Sequence, residues 1–183
     1  MRVITGRAKG KMLKSVPGVL TRPTSGNVKE AIFSGIQFDI QESVVLDLFA
    51  GTGQMGIEFL SRGAKKAVFV DHQNQAIQII RENLKQTGLE NRAEVHKQDF
   101  EKYLENCRDK FDFIFLDPPY QSDALQTTLK LIGQFDILKP DGIIICESSS
   151  ETDFQWISPT FQLIKDRIYG KKKVSTIGWM NNR

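Results

Sequence analysis

From residue 44 onward the chain alternates short apolar runs with stretches whose apolar positions recur at helical spacing. Val44 to Phe49 is a nearly continuous apolar run, as expected of a strand covered on both faces, and a glycine-rich turn and short helix follow it. Ala67 to Asp71 reads as the next strand. Residues 73 to 87 place Ala76, Ile80, Leu84 and Thr87 on one helix face, and Gly88 stands where that helix should end. Ala93 to Lys97, Phe111 to Leu116 and Gly142 to Glu147 supply three more strands, with helical segments between them. This rhythm predicts an α/β fold with a parallel sheet and right-handed crossovers. Phe161 to Tyr169 and Lys172 to Gly178 flank Gly170 and predict a C-terminal antiparallel hairpin.

Ahead of residue 44 the pattern differs. Residues 2 to 20 mix Val3, Ile4, Met12, Leu13 and Val16 with Gly6, Gly10 and Pro17-Gly18, which suggests a small β-hairpin. After Thr21-Arg22-Pro23-Thr24, the positions Val28, Ile32, Phe33 and Ile36 recur at helical spacing, with Thr24 or Ser25 placed to cap the helix. No repeat or long linker interrupts the 183 residues, so they read as one domain: a basic extension over 1–22 and a Rossmann-like core over 24–183.

Composition adds limits. Hydrophobic residues at 40% and charged residues at 26% are ordinary globular values. Cys107 and Cys146 lie far apart with no CxxC pairing, and His72 and His96 lack metal-ligand spacing, so neither a disulfide framework nor a metal site is expected. No apolar run approaches the ~20 residues of a membrane span, and a cytoplasmic setting is expected. The net charge of +3 is modest but uneven: Arg2, Arg7, Lys9, Lys11, Lys14, Arg22 and Lys29 all precede the first acidic residue, Glu30. Arg167 and Lys171 to Lys173 form a second cluster. Such clusters suit the phosphates of a nucleic acid.

The candidate chemistry sits after two of the strands. Leu48-Phe49-Ala50-Gly51-Thr52-Gly53-Gln54-Met55-Gly56 carries GxGxxG between a strand and a helix, and Asp71, about twenty residues after Gly51, is placed to accept hydrogen bonds from ribose hydroxyls. Loop and acid together fit a dinucleotide or S-adenosyl-L-methionine. Asp47 discriminates, because a carboxylate at the mouth of the loop repels a pyrophosphate and favours an ammonium and a sulfonium. Asp99 is placed to bond an adenine amine, or to cap the following helix, with Phe100 packing on the ring. His72 reads as a cofactor-pocket neighbour or a surface residue.

The tetrapeptide Asp117-Pro118-Pro119-Tyr120 ends the fourth strand, where open α/β sheets bind ligands. An aromatic exocyclic amine is a poor nucleophile because its lone pair is delocalised into the ring. If Asp117 and the Pro118 carbonyl accept its two hydrogens, the nitrogen can pyramidalise and aim its lone pair at a sulfonium methyl. The prolines fix the carbonyl directions, and Tyr120 can stack on an extruded base.

With those residues in place, Asp-Pro-Pro-Tyr behind Leu-Phe-Ala-Gly-Thr-Gly resembles the class I amino-methyltransferases. Arg2-Val3-Ile4-Thr5-Gly6-Arg7-Ala8-Lys9-Gly10, Thr21-Arg22-Pro23-Thr24 and Leu60-Ser61-Arg62-Gly63-Ala64 make the whole chain similar to the bacterial small-subunit ribosomal RNA guanine-N2 methyltransferase family, the RsmD type. The resemblance implies a seven-stranded class I S-adenosylmethionine-dependent methyltransferase sheet. It also implies an N-terminal β-hairpin that helps grip RNA through Arg2, Arg7, Lys9, Lys11 and Arg22, and a guanine N2 target in 16S ribosomal RNA, within an assembling small subunit or as naked RNA. Thr24 is carried over as a cofactor neighbour. Two departures stand out: the family often has phenylalanine where Tyr120 stands, and glutamate where Asp71 stands.

Other readings share parts of these motifs. A nicotinamide-dependent oxidoreductase uses the same glycine loop, but Asp47 and the tetrapeptide have no role in it. A non-catalytic RNA-binding module would not need the acids. An adenine-N6 or cytosine-N4 DNA enzyme would use the same tetrapeptide, but the chain lacks room for a large DNA-recognition domain.

Overall fold

The computed structural model describes residues 1–15, 24–119, 123–154 and 159–180; Arg22, Tyr120 and the Pro17-Gly18 turn lie outside them. Among the described residues one seven-stranded sheet runs in the order β3-β2-β1-β4-β5-β7-β6. Strands β1 (Val44–Leu48), β2 (Lys66–Asp71), β3 (Ala93–Lys97), β4 (Phe111–Leu116) and β5 (Leu138–Ser149) pair in parallel. β7 (Lys172–Trp179) is antiparallel to β5 and to β6 (Phe161–Tyr169), the hairpin turning at Gly170 with φ 63°.

Five helices of the described residues cover the sheet: α1 (Gly26–Ile36), α2 (Gln54–Ser61), α3 (Asn74–Thr87), α4 (Phe100–Asn106) and α5 (Ala124–Gln134). Their ends follow local chemistry. Ser25, and not Thr24, caps α1 by accepting the Val28 N–H, and Asp99 caps α4 by accepting the Glu101 N–H. Gly88 closes α3 in the left-handed conformation, φ 71°. One face of the sheet packs residues of α1, α2 and α3 around Phe33, Phe59, Phe69, Phe113 and Phe115; the other packs α4 and α5 around Leu46, Val68, Phe111 and Ile114. Burial on both faces explains why β1, β2 and β4 read as nearly continuous apolar runs.

Residues 1–15 lie against the first face. Arg2 and Met12 form an antiparallel bridge, supported by backbone bonds between Val3 and Lys11 and between Leu13 and Met1, so the described part of the extension is a very short hairpin. Val3, Ala8 and Leu13 are buried in the core of that face. Gly6, at φ 85°, comes so close to α2 that a Cβ there would stand 1.9 Å from the Ser61 carbonyl oxygen.

Candidate active site

The strand order reverses between β1 and β4, and at such a switch point the two neighbouring chain crossings leave on opposite faces and open a crevice beyond the carboxyl ends of the strands. The glycine loop leaves β1 there and Asp117-Pro118-Pro119 leaves β4. The loop is built from backbone as much as from glycine: Phe49, Gly51 and Gly53 have φ of 69°, 56° and 75°. Ala50 N–H donates to the Val70 carbonyl and Gly53 N–H to the Ala50 carbonyl. The first and last glycines do different jobs. A Cβ on Gly51 would meet almost nothing, leaving that backbone open to a ligand, whereas one on Gly56 would stand 2.3 Å from the Phe69 ring. Gly56 therefore lets α2 seat against β2.

Four carboxylates line the same edge. The register sets Asp47 opposite Phe69 and Phe115, and Phe115 opposite Ile145, so Asp71, Asp117 and Glu147, each two residues further on, share one face with Asp47. Asp47 is 2% exposed and accepts the Gly56 N–H at 2.9 Å; burial pushes its carboxyl up to about 8, with Asp117 and Asp71 adding to the rise. Asp71 accepts the Gly51 N–H through one oxygen and the Gln73 N–H through the other, both at 2.9 Å. It thus shapes the loop as well as the strand end. Burial, and next the neighbouring Glu147, hold the Asp117 carboxyl well above the usual carboxylate range, while Lys172 opposes them. Pro118 is buried and Pro119 exposed.

The other expected site residues are placed as follows. Phe49 and Phe100 rings lie 5.0 Å apart, so Phe100 packs on the loop's own aromatic. Asp99 is exposed and spends one oxygen on its helix cap. The His72 side chain is 70% exposed, with Nδ1 3.9 Å from Asp71. Thr24 is buried, its hydroxyl donating to Glu147 Oε2 at 2.8 Å. Arg2, Arg7, Lys9 and Lys11 are exposed on the N-terminal lobe. A groove of about 630 Å³ runs between that lobe and the start of α1, lined in part by Arg2, Lys9, Thr24 and Asn27.

The C-terminal basic cluster divides. Arg167 and Lys171 are exposed, but Lys172 pairs with Glu147 and Lys173 donates to the Thr152 carbonyl at 2.6 Å, so half of the cluster expected to face phosphates is turned inward.

Three important residues are not singled out by the sequence motifs. Glu58 of α2 is fully buried and accepts the Ile4 and Thr5 N–H groups at 2.9 and 3.0 Å, with Arg62 Nε at 3.0 Å and Lys29 Nζ at 3.5 Å. Arg62 also lies over the Phe33 ring, 4.4 Å from its centroid. Asn83 of α3 exchanges hydrogen bonds with the Lys14 backbone and donates to the Thr52 carbonyl in the glycine loop. Glu147 lies in β5, two residues before its end. An acid inside the apolar stretch Ile57-Glu58-Phe59 and an acid closing an apolar strand were the available cues.

The site fits S-adenosyl-L-methionine. A buried carboxyl held protonated near neutral pH becomes a good host once a cation arrives, and this ligand carries two positive groups. Gln54, next to Gly53, keeps its side-chain oxygen buried with no hydrogen-bond partner among the described residues. A pyrophosphate would instead face the carboxylate row. Among the described residues no group of His, Cys, Asp and Glu is arranged to hold a metal ion, and no helix is long and apolar enough to cross a membrane.

Comparison with known proteins agrees with this geometry. A Haemophilus influenzae protein named ribosomal RNA small subunit methyltransferase D is 34% identical over 175 residues, covering 93% of this chain and 89% of its own. The Escherichia coli K12 protein of the same name is 27% identical over 171 residues, covering 93% and 86%. The solved structure of Escherichia coli yhhF superimposes with a TM-score of 0.86 at 27% identity, over 98% of this chain and 97% of that one. The family model described as conserved hypothetical protein 95 matches residues 1–178, and the chain belongs to that family, the RsmD type whose motifs it carries.

Proposed function

We propose that this protein transfers the methyl group of S-adenosyl-L-methionine to the exocyclic N2 amine of a guanine in 16S ribosomal RNA. The single observation that carries the reading is the meeting of Asp117-Pro118-Pro119 with the glycine loop at the reversal of strand order, on a sheet edge lined by Asp47 and Asp71. Family membership supports methyl transfer to ribosomal RNA; the choice of guanine N2 rests on the resemblance of the whole chain to the RsmD type.

When bound, the cofactor supplies an electrophilic methyl. The protein's part is to present a weak nucleophile to it. The open backbone at Gly51 and the carboxylates Asp47 and Asp71 would hold the cofactor, with Phe49 and Phe100 forming an aromatic wall beside it. Asp117 and the Pro118 carbonyl would accept the two hydrogens of the amine, drawing its lone pair out of conjugation, and Asp117 then takes the proton that nitrogen must lose. Arg2 and Lys9 line the groove together with Thr24, and Arg7 and Lys11 are exposed on the same lobe, a surface suited to phosphates, with shape rather than sequence selecting the RNA.

The test is transfer of radiolabelled methyl to 16S RNA, naked and in partly assembled small subunits, followed by nucleoside analysis. N2-methylguanosine is the expected product. Label in N6-methyladenosine, or none in either substrate from protein that binds the cofactor, overturns the assignment.

A further inference from the structure

β5 carries, two residues before its end, an acid that the reaction above does not use. Glu147 is fully buried, and its two oxygens serve two other parts of the chain: Oε2 accepts the Thr24 hydroxyl from the lead into α1, and Oε1 pairs with the Lys172 ammonium from β7. Because Leu116 is level with Cys146 in the parallel register, the next residues along, Asp117 just past the end of β4 and Glu147 in β5, stand side by side on one face. Among the described residues, Asp47 and Asp71 stand on the far side of Asp117, from β1 and β2; on the α1 side Lys29 is committed to Glu58 and to the Arg2 carbonyl.

A buried carboxylate with both oxygens engaged cannot meet the substrate itself. Its placement nevertheless gives it a hold on the one beside it. We propose that Glu147, braced by Thr24 and Lys172, is a positioning residue for Asp117: it fixes where that carboxylate stands and how readily it accepts the proton leaving the target amine. The proposal rests on the reading of Asp117 as the group that meets the amine. In the step concerned, the nitrogen lone pair forms the new N–C bond, the methyl–sulfur bond breaks with its electron pair left on sulfur, and the N–H proton passes to an Asp117 oxygen and leaves to solvent with the product. An Asp117 carboxylate in open water would be too weak a base to take part usefully near neutral pH. Burial and the adjacent Glu147 strengthen it as a base, and Lys172 limits the rise.

The test uses Glu147→Gln and Lys172→Met in the full chain. The Asp117 carboxyl is titrated by carbon-13 NMR without substrate, its signal assigned with Asp117→Asn, and the pH dependence of methyl transfer is measured beside it. Glu147→Gln should lower the titration midpoint by about one pH unit, a tenfold change in the ratio of ionised to protonated carboxyl, and Lys172→Met should raise it. The acid limb of the rate profile should move in the same two opposite directions. A purely structural role would lower the rate plateau of both variants and leave the midpoints alone. Unmoved midpoints in folded variants, or shifts of one sign in both, overturn the proposal; if Glu147→Gln does not fold, the sign of the Lys172→Met shift decides. Opposite shifts in a protein that methylates no guanine would leave the positioning intact and defeat the substrate assignment. Guanine methylation with unmoved midpoints would do the reverse.

Discussion

Replacing Glu58 by glutamine should loosen the N-terminal lobe without touching the glycine loop. Glutamine keeps the volume and one acceptor oxygen but sets an NH2 group against one of the two backbone donors, Ile4 or Thr5, that the carboxylate now serves. A buried donor left without a partner costs about 1–3 kcal/mol. The larger loss is the counter-charge of Lys29, whose side chain is 2% exposed; stripping one partner from a buried pair costs about 3–5 kcal/mol. That cost is capped by the lysine giving up its proton, which burial already favours. A total of about 4 kcal/mol would lower the melting temperature of a chain this size by on the order of 10 °C. Lys29 also fixes the pH dependence. Its pKa falls further in the variant, so the variant's deficit should be greatest at low pH and narrow as the pH rises. Thermal unfolding across pH, with hydrogen exchange at the Ile4 and Thr5 amides, measures both effects. A melting temperature within a couple of degrees of wild type, with both amides as protected as before, would refute the reasoning.

Four further outcomes follow from the structure. Ionising Asp47 is opposed by burial, so the empty protein should lose stability as pH rises from about 4 to about 8, by roughly 4 kcal/mol at neutrality, and Asp47→Asn should flatten that slope in urea unfolding. By the same linkage, cofactor binding at neutral pH should release a proton, and calorimetry in buffers of different ionisation enthalpy should find the release absent in Asp47→Asn. Asp117→Ala should bind the cofactor but give no turnover in the radiolabel assay; retained activity would remove Asp117 from the chemistry. Arg7→Ala with Lys9→Ala should weaken RNA binding and reduce the slope of log affinity against log salt by about 1.5, and an unchanged slope would place the phosphate contacts elsewhere.

Much of the sheet was legible because burial on two faces writes itself into local sequence: β3, β4 and β6 begin and end where their apolar or β-prone runs do. β5 is longer than its reading. Pro140-Asp141-Gly142 looks like a turn, yet the pairing absorbs it by shifting register between Phe111 and Phe113, and Leu138 joins the strand. The glycine loop and the Asp-Pro-Pro corner were visible because their chemistry demands particular residues within a few positions of each other. Glu58, Asn83 and Glu147 were not, since each acts through partners remote in the chain: Thr24 is 123 residues from Glu147, and Lys14 is 69 from Asn83. Lys172 and Lys173 show the same limit from the other side. A run of lysines reads as a solvated or phosphate-facing patch until the fold reveals which strand face each occupies.

Gly6 gives the molecule a hinge point for genetics. The gap between its Cα and the end of α2 will not take a methyl group, and the Ser61 carbonyl that fills the gap also receives the Arg7 N–H. A single added carbon at position 6 is therefore a wedge: it pries the chain at Gly6 from the end of α2, and strain passes to the buried Val3, Ala8 and Leu13 on either side. On the proposed reading of Arg7 and Lys9 as phosphate contacts, such an allele would displace both from one position in the chain, where substitution of each cation removes only one charge.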